Sequence, residues 1–446
     1  MLKIHENAKL NFDQKGNELL TLVEEAPQEK SRSVFSPDVH VEHTITDKDI
    51  ISFNPGTLVD GFGDEHGFFF AFNGKKYGIF NEKYKALLKL SESISKIQSI
   101  NDKISQKTIK ELIFEWINKK SSREISDSLT DYVLHEAAGK VELQEIWVPV
   151  RFLHIEVPFR VGRITFSPLT KAMIDGFESK WVSGSPDNED KIRELFAKDV
   201  RKLQGHTAAI LTIEAESTHA QEMVLEETKK SLLMLKLFSA AAFHPKLTST
   251  YDIWGSEKID RAKLLFITDG KLTSLSDQIL DKQQPTENMD RECIKMHMDA
   301  GLNVLSDLLA NNNKTSFQKN ALDALFIYAR CTTTKDPADK LLYVLVALES
   351  IFLRNNTEPI QQNLAERMAF LIEKNIQDRR KVITDVRCAY SIRSSFVHHG
   401  ASIEDHEALE KFMWHAWRAI TVIITATKTV KTKDELLDHL DELKLA

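Results

Sequence analysis

The chain has 446 residues, of which 59 are basic and 66 are acidic, so its net charge is −7. This charge excludes nucleic-acid binding through a polybasic surface that extends over the whole chain, although it does not exclude a local basic patch. Hydrophobic residues make up 42% and charged residues 28%, which excludes extended disorder, and the length predicts two or three domains. Sixteen glycines and eleven prolines are too few for an all-β protein and indicate long helices.

Cysteine usage and hydropathy indicate the compartment. Cys293, Cys331 and Cys388 are far apart and form no CxxC pair, which excludes a disulfide framework and a zinc ribbon and is typical of a reducing environment. The first residues form no apolar leader, and no apolar run approaches the ~18 residues of a membrane span. We therefore expect a cytoplasmic protein with no membrane partner, and no motif predicts a cofactor or a metal.

The N-terminal part of the sequence mixes strand and helix patterns. Asn73-Gly74 lies between two runs rich in aromatic residues, an arrangement typical of a β-hairpin. The glycine-rich segment 61–67 lacks the strand–turn–helix context of a phosphate-binding loop, so it is better interpreted as part of this hairpin. Apolar spacing over 83–120 then predicts helices.

More β-structure is predicted between residues 146 and 166, where apolar and polar residues alternate, and over 207–215, whose apolar run suits a buried strand. A helix is predicted at 219–243 and a short strand at 264–268. Together these elements predict an α+β region over residues 1–275, made of one or two subdomains. Its function is unknown, and we expect it to sense a trigger or to position a partner.

Beyond residue 285, the spacing of apolar residues predicts helices alone. Stop signals such as Asp336-Pro337 and Gly400 separate them. The predicted helices cover 286–310, 316–331, 336–354, 361–375, 377–399, 404–427 and 432–444. We therefore predict an all-α helical bundle over 285–446, with a domain boundary near 275–290.

Two charged side chains interrupt apolar stripes in this bundle. On the helix 377–399, Arg393 continues an apolar stripe that includes Tyr390, and Glu349 lies in a similar stripe on the helix 336–354. A charge in such a position is costly unless it is paired. Arg393 therefore needs an anion, either the carboxylate of Glu349 or the phosphate of a ligand, which the guanidinium fork fits well.

His398 lies five residues after Arg393, about 7.5 Å along the helix axis and about 140° around it, so both side chains can reach one group. With His399 it occupies the last turn before Gly400, where the helix dipole favours a protonated imidazole. Such a histidine can take a proton from the 2′-hydroxyl of RNA or give one to the leaving 5′-oxygen. The arginine can hold charge that builds on the phosphate, and no metal is needed.

The same arginine and histidine have a purely structural alternative. His398 would cap the last helical turn, and Arg393 would pair with Glu349. The surrounding segment 373–400 is locally basic, with six Lys or Arg against three Asp or Glu. The two interpretations differ in whether Arg393 and His398 are exposed together in a basic cleft.

Three sequence blocks follow one another in this region. They are Asp336–Leu353, which contains Glu349, then Leu364-Ala-Glu-Arg-Met-Ala-Phe-Leu371, and finally Tyr390-Ser-Ile-Arg-Ser-Ser-Phe-Val-His-His-Gly400. In this order they resemble the Apea-like HEPN domain over about residues 320–430. The resemblance implies an antiparallel helical bundle, commonly a homodimer, in which two R-x(4–6)-H motifs face each other and form a metal-independent endoribonuclease site.

Carried over by position, the resemblance makes Arg393 the motif arginine and His398 the motif histidine. His399 stands where many relatives have glycine, so either histidine is a candidate for the catalytic base. Ser394 occupies a position where many ribonuclease members carry Asn, Asp or His. The supporting residues of the candidate site are Glu349, Tyr390 and Ser394.

The resemblance also implies RNA as the substrate, a homodimer formed through the C-terminal helical domain, and a role in prokaryotic antiphage defence. Cleavage of RNA would then stop translation. Some members of the family are instead non-catalytic dimerisation or binding modules, and this is the alternative function for the chain.

Three further patterns have plain structural interpretations. Cys293 and His297 lie at i and i+4, but no second pair completes a metal site, so we expect a core cysteine beside a surface histidine. Trp414 and Trp417 could stack on nucleic-acid bases, although aromatic residues at helical spacing are more often core or dimer interface. The acidic segment 434–442 is typical of a solvated helix face.

Overall fold

The computed structural model describes residues 2–26, 56–59, 65–256, 261–268, 271–279, 286–355, 357–399, 403 and 405–445. The chain forms two compact units, Met1–Ile146 with Thr212–Met223 and Trp147–Leu211 with Val224–Ala446. The boundary that the sequence predicts near 275–290 lies inside the second unit. The N-terminal half of the chain is α+β and the C-terminal half is helical, as predicted.

The first unit packs helices on a four-stranded antiparallel sheet with the order β1-β4-β3-β2. The strands are β1 (Glu24–Glu25), β2 (Gly56–Val59), β3 (Glu65–Phe72) and β4 (Lys75–Phe80). The helices are α1 (Glu6–Thr21), α2 (Asn81–Ser95), α3 (Gln98–Asn101), α4 (Gln106–Ser121) and α5 (Leu129–Gly139). Their core contains Phe68, Phe114 and Trp116.

The predicted hairpin at Asn73-Gly74 is confirmed. The two residues have φ values of 49° and 74°, which are the left-handed values that a type I′ turn requires at both central positions. Phe72 pairs with Lys75 across this turn, and the register continues to Gly67 opposite Phe80. Gly61 and Gly63 lie outside the described residues.

The remaining strands form a five-stranded sheet and two small pairs. The strands are β5 (Glu142–Arg151), β6 (Leu153–Ile155), β7 (Phe159–Val161), β8 (Ile164–Pro168), β9 (Thr207–Ala215), β10 (Asp252–Ile253), β11 (Arg261–Thr268), β12 (Lys271–Ile279) and β13 (Glu287–Met289). The larger sheet has the order β10-β5-β9-β8-β7, and β11 pairs with β12. The predicted strands in 146–166, 207–215 and 264–268 are therefore confirmed.

One strand lies where the sequence predicts only helix. β13 pairs in parallel with β6, and the amide of Glu287 donates to the carbonyl of Phe152 at 2.9 Å. Three residues are too few for an alternating pattern, so the pairing depends on contacts with a distant segment that periodicity does not contain. The expectation that β-structure ends before residue 275 is also wrong, because β12 extends to Ile279.

The helices of the C-terminal half follow the predicted ranges closely. They are α9 (Arg291–His297), α10 (Asn303–Ala310), α11 (Ser316–Ala329), α12 (Pro337–Phe352), α13 (Ile360–Ile372), α14 (Ile376–His399), α15 (His406–Ala426) and α16 (Lys433–Leu445). Earlier in the chain lie α6 (Lys171–Gly184), α7 (Glu189–Leu195) and α8 (Ser217–Leu235). Local caps explain the agreement: Thr315 and Gln318 form a capping box on α11, and the Asp336 side chain caps α12 ahead of Pro337.

Two predicted helices are interrupted. The prediction for 286–310 fails between α9 and α10, where a π-helical turn contains Gly301 with a φ of 119°. The prediction for 219–243 fails after Leu235, where the chain continues in two 3₁₀ turns. Within the described part of the chain, no helix has the length and apolar character needed to cross a membrane.

A buried arginine fixes the C-terminal helix α16. The Nε and Nη2 atoms of Arg367 donate to the two carboxylate oxygens of Asp441 at 2.9 and 2.8 Å. Its Nη1 donates to the carbonyl of Phe352 at 2.6 Å and to Glu358 at 2.8 Å. Arg354 adds hydrogen bonds to Asp438 and Asp441. The acidic segment 434–442 is solvent-exposed at Asp434, Glu435, Asp438 and Glu442, as predicted, but Asp441 is half-buried and binds Arg367.

We predict that Asp441→Asn destabilises the second unit by about 3 kcal/mol, because it leaves the buried Arg367 guanidinium without its bidentate partner. Asp434→Asn is the matched control, since Asp434 is 78% exposed and its loss should cost at most about 0.5 kcal/mol. Urea unfolding followed by tryptophan fluorescence measures both. Equal effects of the two substitutions would contradict a structural role for the Arg367–Asp441 pair.

This pair should also make stability depend on pH. The hydrogen bond from Arg367 lowers the pKa of Asp441. A lowered folded-state pKa adds stability above the unfolded value of about 4, and that stability is lost as the pH falls further. The difference in unfolding free energy between the native chain and Asp441→Asn should therefore shrink between pH 5 and pH 3, and a constant difference would contradict the assignment.

Candidate functional site

Helix α14 carries most of the candidate residues and is held by three neighbours. It packs against α12, α13 and α15, and its buried side includes Val382, Val386 and Ala389. These side chains lie three or four positions apart, so they form one helical face. Tyr390 and Arg393 continue this face as half-buried residues toward the C-terminal end of the helix.

Glu349 on α12 is bound by a tyrosine of α14. The hydroxyl of Tyr390 donates to Oε1 of Glu349 at 2.8 Å. Burial raises the pKa of Tyr390, the negative charge of Glu349 raises it further, and the positive charge of Arg393 opposes both effects. The phenol therefore stays protonated and acts as the donor. Tyr390 is thus affected by the charges of both Glu349 and Arg393, whereas the expected proximity of Glu349 to Arg393 stays a prediction.

Arg393 lies one turn after Tyr390 and is half-buried. Among the residues that the structure describes, its guanidinium forms no ion pair, and the carboxylate of Glu349 is engaged by Tyr390 instead. The sequence offers two anions for Arg393, and one of them, the carboxylate of Glu349, accepts a hydrogen bond from Tyr390.

The other candidate residues are near the end of α14. His398 is exposed on the last turn, and Ser394 is exposed next to Arg393. His399 ends the helix, and its side chain and Gly400 lie outside the described residues. The structure therefore joins Glu349 to Tyr390, one turn before Arg393, whereas it places Ser394 on a solvent-facing side of the helix.

Two valines that continue the apolar stripes of α12 and α14 are exposed. Val346 on α12 is 46% exposed and Val397 on α14 is 54% exposed. Val346 lies three positions before Glu349 on α12, and Val397 lies four positions after Arg393 on α14. At the candidate site, both apolar stripes therefore include side chains that are exposed to solvent, and apolar and charged residues lie together at the surface.

Sequence reasoning missed one ionisable pair. Nε2 of His415 on α15 lies 3.1 Å from Oδ2 of Asp385 on α14. Burial lowers the pKa of His415, while Asp385 opposes that effect, and the Nδ1 atom is buried with no hydrogen-bond partner in the described part of the chain. The two residues are on different helices, so no sequence spacing could have revealed the contact.

The possible metal half-site has a different structure from the one predicted. Cys293 Sγ lies 3.7 Å from Nε2 of His297, but the histidine is buried and the cysteine is half-buried, the reverse of the expectation. Burial raises the pKa of the Cys293 thiol, with the charges of Asp290 and Glu287 adding to the effect, so the thiol stays protonated. No group of three potential metal ligands occurs among the residues described.

No protein-family model, curated protein or solved structure matches the chain. Its function must therefore be inferred from the residues of the site. The described site consists of a half-buried guanidinium, a tyrosine–carboxylate hydrogen bond beside it, and an imidazole on the last turn of the same helix.

We predict that Tyr390→Phe destabilises the second unit by about 1.5–3 kcal/mol, because it removes a hydrogen bond to a charged acceptor and leaves Glu349 half-buried without it. Tyr343→Phe on α12 is the matched control, since Tyr343 is half-buried and its hydroxyl bonds to no described residue. That change should stay within about 0.5 kcal/mol. If urea unfolding shows the same stability for both variants, the Tyr390–Glu349 bond does not hold the site together.

Proposed function

We propose that the chain is a metal-independent endoribonuclease with an Apea-like HEPN bundle in its C-terminal half. The observation that carries the proposal is the half-buried Arg393, which forms no ion pair among the described residues and lies one turn after Tyr390, the residue that binds Glu349. A guanidinium in this position suits the phosphate of a substrate, which it can bind through two parallel hydrogen bonds. His398 on the same helix supplies an imidazole that can accept or donate a proton.

The chemistry is a transesterification within the RNA strand. The 2′-oxygen forms a bond to the adjacent phosphorus as its proton passes to a base, and the bond from phosphorus to the 5′-oxygen breaks as that oxygen gains a proton. His398 exchanges these protons, with His399 as the alternative base, and Arg393 stabilises the charge on the phosphate oxygens. The products are a 2′,3′-cyclic phosphate and a 5′-hydroxyl.

Tyr390 and Glu349 act as positioning residues in this proposal. The carboxylate of Glu349 lies close enough to influence the tyrosine, and Arg393 influences the same tyrosine. The negative charge of Glu349 attracts the Arg393 guanidinium, while the hydrogen bond from Tyr390 fixes the position of the carboxylate. Arg393 is thereby held in place and stays available to phosphate.

The proposed enzyme acts as a homodimer. The exposed valines, Val346 and Val397, lie beside the candidate residues, and burial of these side chains against a second copy would bring two sites together. The wider role that we propose is prokaryotic antiphage defence, with the α+β part of the chain binding an unknown trigger. A non-catalytic dimerisation module is the alternative if RNA cleavage is absent.

Purified protein should cleave total RNA in the presence of EDTA, and Arg393→Ala and His398→Ala should each lose activity while folding normally. Loss of a charged donor lowers the rate by about 10²–10³-fold, and loss of acid–base help by about 10²–10⁴-fold. His399→Ala should be milder. Arg387→Ala is the matched control, because Arg387 is exposed on the same helix. Gel assays and end-group analysis measure these effects.

Two results would contradict the proposed mechanism. Cleavage that persists in the His398→Ala/His399→Ala double variant would exclude a histidine base. Abolition of wild-type cleavage by EDTA would show that a metal is required.

DNA and 2′-O-methyl RNA should resist cleavage, because each lacks the attacking 2′-hydroxyl.

Val346→Asp and Val397→Asp should convert the dimer to a monomer and lower RNA cleavage, because each buries a carboxylate in an apolar interface. Val422→Asp is the matched control, since Val422 is 38% exposed on α15. Sedimentation equilibrium at micromolar concentration gives the oligomeric state. A monomeric wild-type chain would contradict the shared-site geometry.

A further inference from the structure

A groove between the N-terminal half of α14 and helix α15 is separate from the candidate active site. It has a volume of about 590 Å³ and is lined by side chains that include Arg380, Lys381, Asp385, Lys411, Trp414 and His415. Arg380 precedes Arg393 by thirteen residues, which is about 20 Å along the helix and about 140° around it. The groove therefore opens on a different face of α14 from the one that carries Arg393.

Three cations give this groove a positive charge on a chain that is negative overall. Lys381 bonds to Asp378 at 2.8 Å, and Lys411 bonds to Glu407 at 2.7 Å, each within its own helix and at the surface. Exposed pairs of this kind are weak, so both lysines can turn to a stronger anion. Arg380 is exposed and forms no ion pair with any described residue. The single acid among the lining residues, Asp385, is engaged by His415.

An aromatic side chain stands at the same groove in a fixed position. Trp414 is 43% exposed, and its ring stacks on Trp417 with centroids 5.3 Å apart and planes 24° apart. Phe243 meets Trp414 edge-on at 5.2 Å, and the indole nitrogen of Trp417 donates to the carbonyl of Leu237 at 2.8 Å. The exposed part of Trp414 is therefore held by its neighbours, and a flat ligand can stack on it without ordering a mobile side chain.

The combination of fixed aromatic surface and clustered cations is the one that proteins use for single-stranded nucleic acid, with bases on the rings and phosphates on Lys and Arg. We propose that this groove binds a single-stranded segment of RNA, with a base on Trp414 and phosphates on Arg380, Lys381 and Lys411. The inference rests on the proposed ribonuclease function, for which the groove would hold the strand outside the cleavage site. An acidic peptide could use the same cations but gains little from the indole ring.

The test measures binding without cleavage. A fluorescently labelled 2′-O-methyl RNA oligonucleotide, which lacks the nucleophile, is titrated with the full-length chain, and anisotropy is followed at several salt concentrations. Trp414→Ala should weaken binding about tenfold. The Arg380→Ala/Lys411→Ala double variant should weaken binding and reduce the slope of log affinity against log salt by about 1.4, or about 0.7 for each phosphate that the variant no longer neutralises.

Matched controls separate the groove from general effects of charge and fluorescence. Trp181→Ala removes a tryptophan that is 49% exposed on α6, and Lys428→Ala removes an exposed cation beyond the end of α15. Both should bind as the native chain does. Trp414→Phe keeps an aromatic face and should restore most of the affinity that Trp414→Ala removes, which a folding defect would not.

Each outcome bears on the groove independently of catalysis. Unchanged affinity in both the Trp414→Ala and the Arg380→Ala/Lys411→Ala chains would overturn the proposal. So would an acidic peptide that competes fully with the oligonucleotide and binds Trp414→Ala as well as the native chain. If the groove variants weaken binding but the native chain does not cleave unmodified RNA, the groove proposal is supported and the nuclease proposal is overturned. If the native chain cleaves RNA but the groove variants bind as well as it does, the nuclease proposal is supported and the groove proposal is overturned.

Discussion

The proposed role of Arg393 depends on the hydrogen bond that Tyr390 donates to Glu349. An arginine that paired directly with Glu349 would be a structural residue. In the structure, Glu349 accepts a hydrogen bond from Tyr390, and Arg393 forms no ion pair with any described residue. The functional proposal depends on this arrangement, because only an arginine that is positioned and still able to bind an anion can hold a phosphate.

Arg367, in the same half of the chain, has acceptors that Arg393 lacks among the described residues. Arg367 is buried and donates to Asp441, Glu358 and the carbonyl of Phe352. Its guanidinium is therefore bound by protein acceptors and fixes α16. Arg393, half-buried on α14, has no such set of acceptors among the described residues. Burial of a guanidinium therefore does not by itself indicate a ligand site, and the difference between these two arginines lies in their acceptors.

Much of the helical half could be predicted from the sequence, because its signals are local. Thr315 and Asp336 cap their helices through bonds to residues two or three positions away, and these bounds match the prediction. The failures involve partners that are distant in sequence or a local break: β13 pairs with β6, and Gly301 interrupts a continuous apolar pattern. In the site, spacing placed Arg393 and Glu349 in apolar stripes of two helices, but it could not show that Tyr390 binds the carboxylate of Glu349 or that Asp385 contacts His415.

The central claim is that the guanidinium of Arg393 acts directly on the phosphate, and chemical rescue tests it most directly. The Arg393→Ala chain is incubated with RNA and EDTA, with and without added guanidinium ion at a concentration that leaves the fold intact. The account predicts that guanidinium restores cleavage to 2′,3′-cyclic phosphate products in Arg393→Ala and not in the His398→Ala/His399→Ala double variant. Undiminished cleavage by Arg393→Ala without guanidinium, or no cleavage by the native chain, would contradict it.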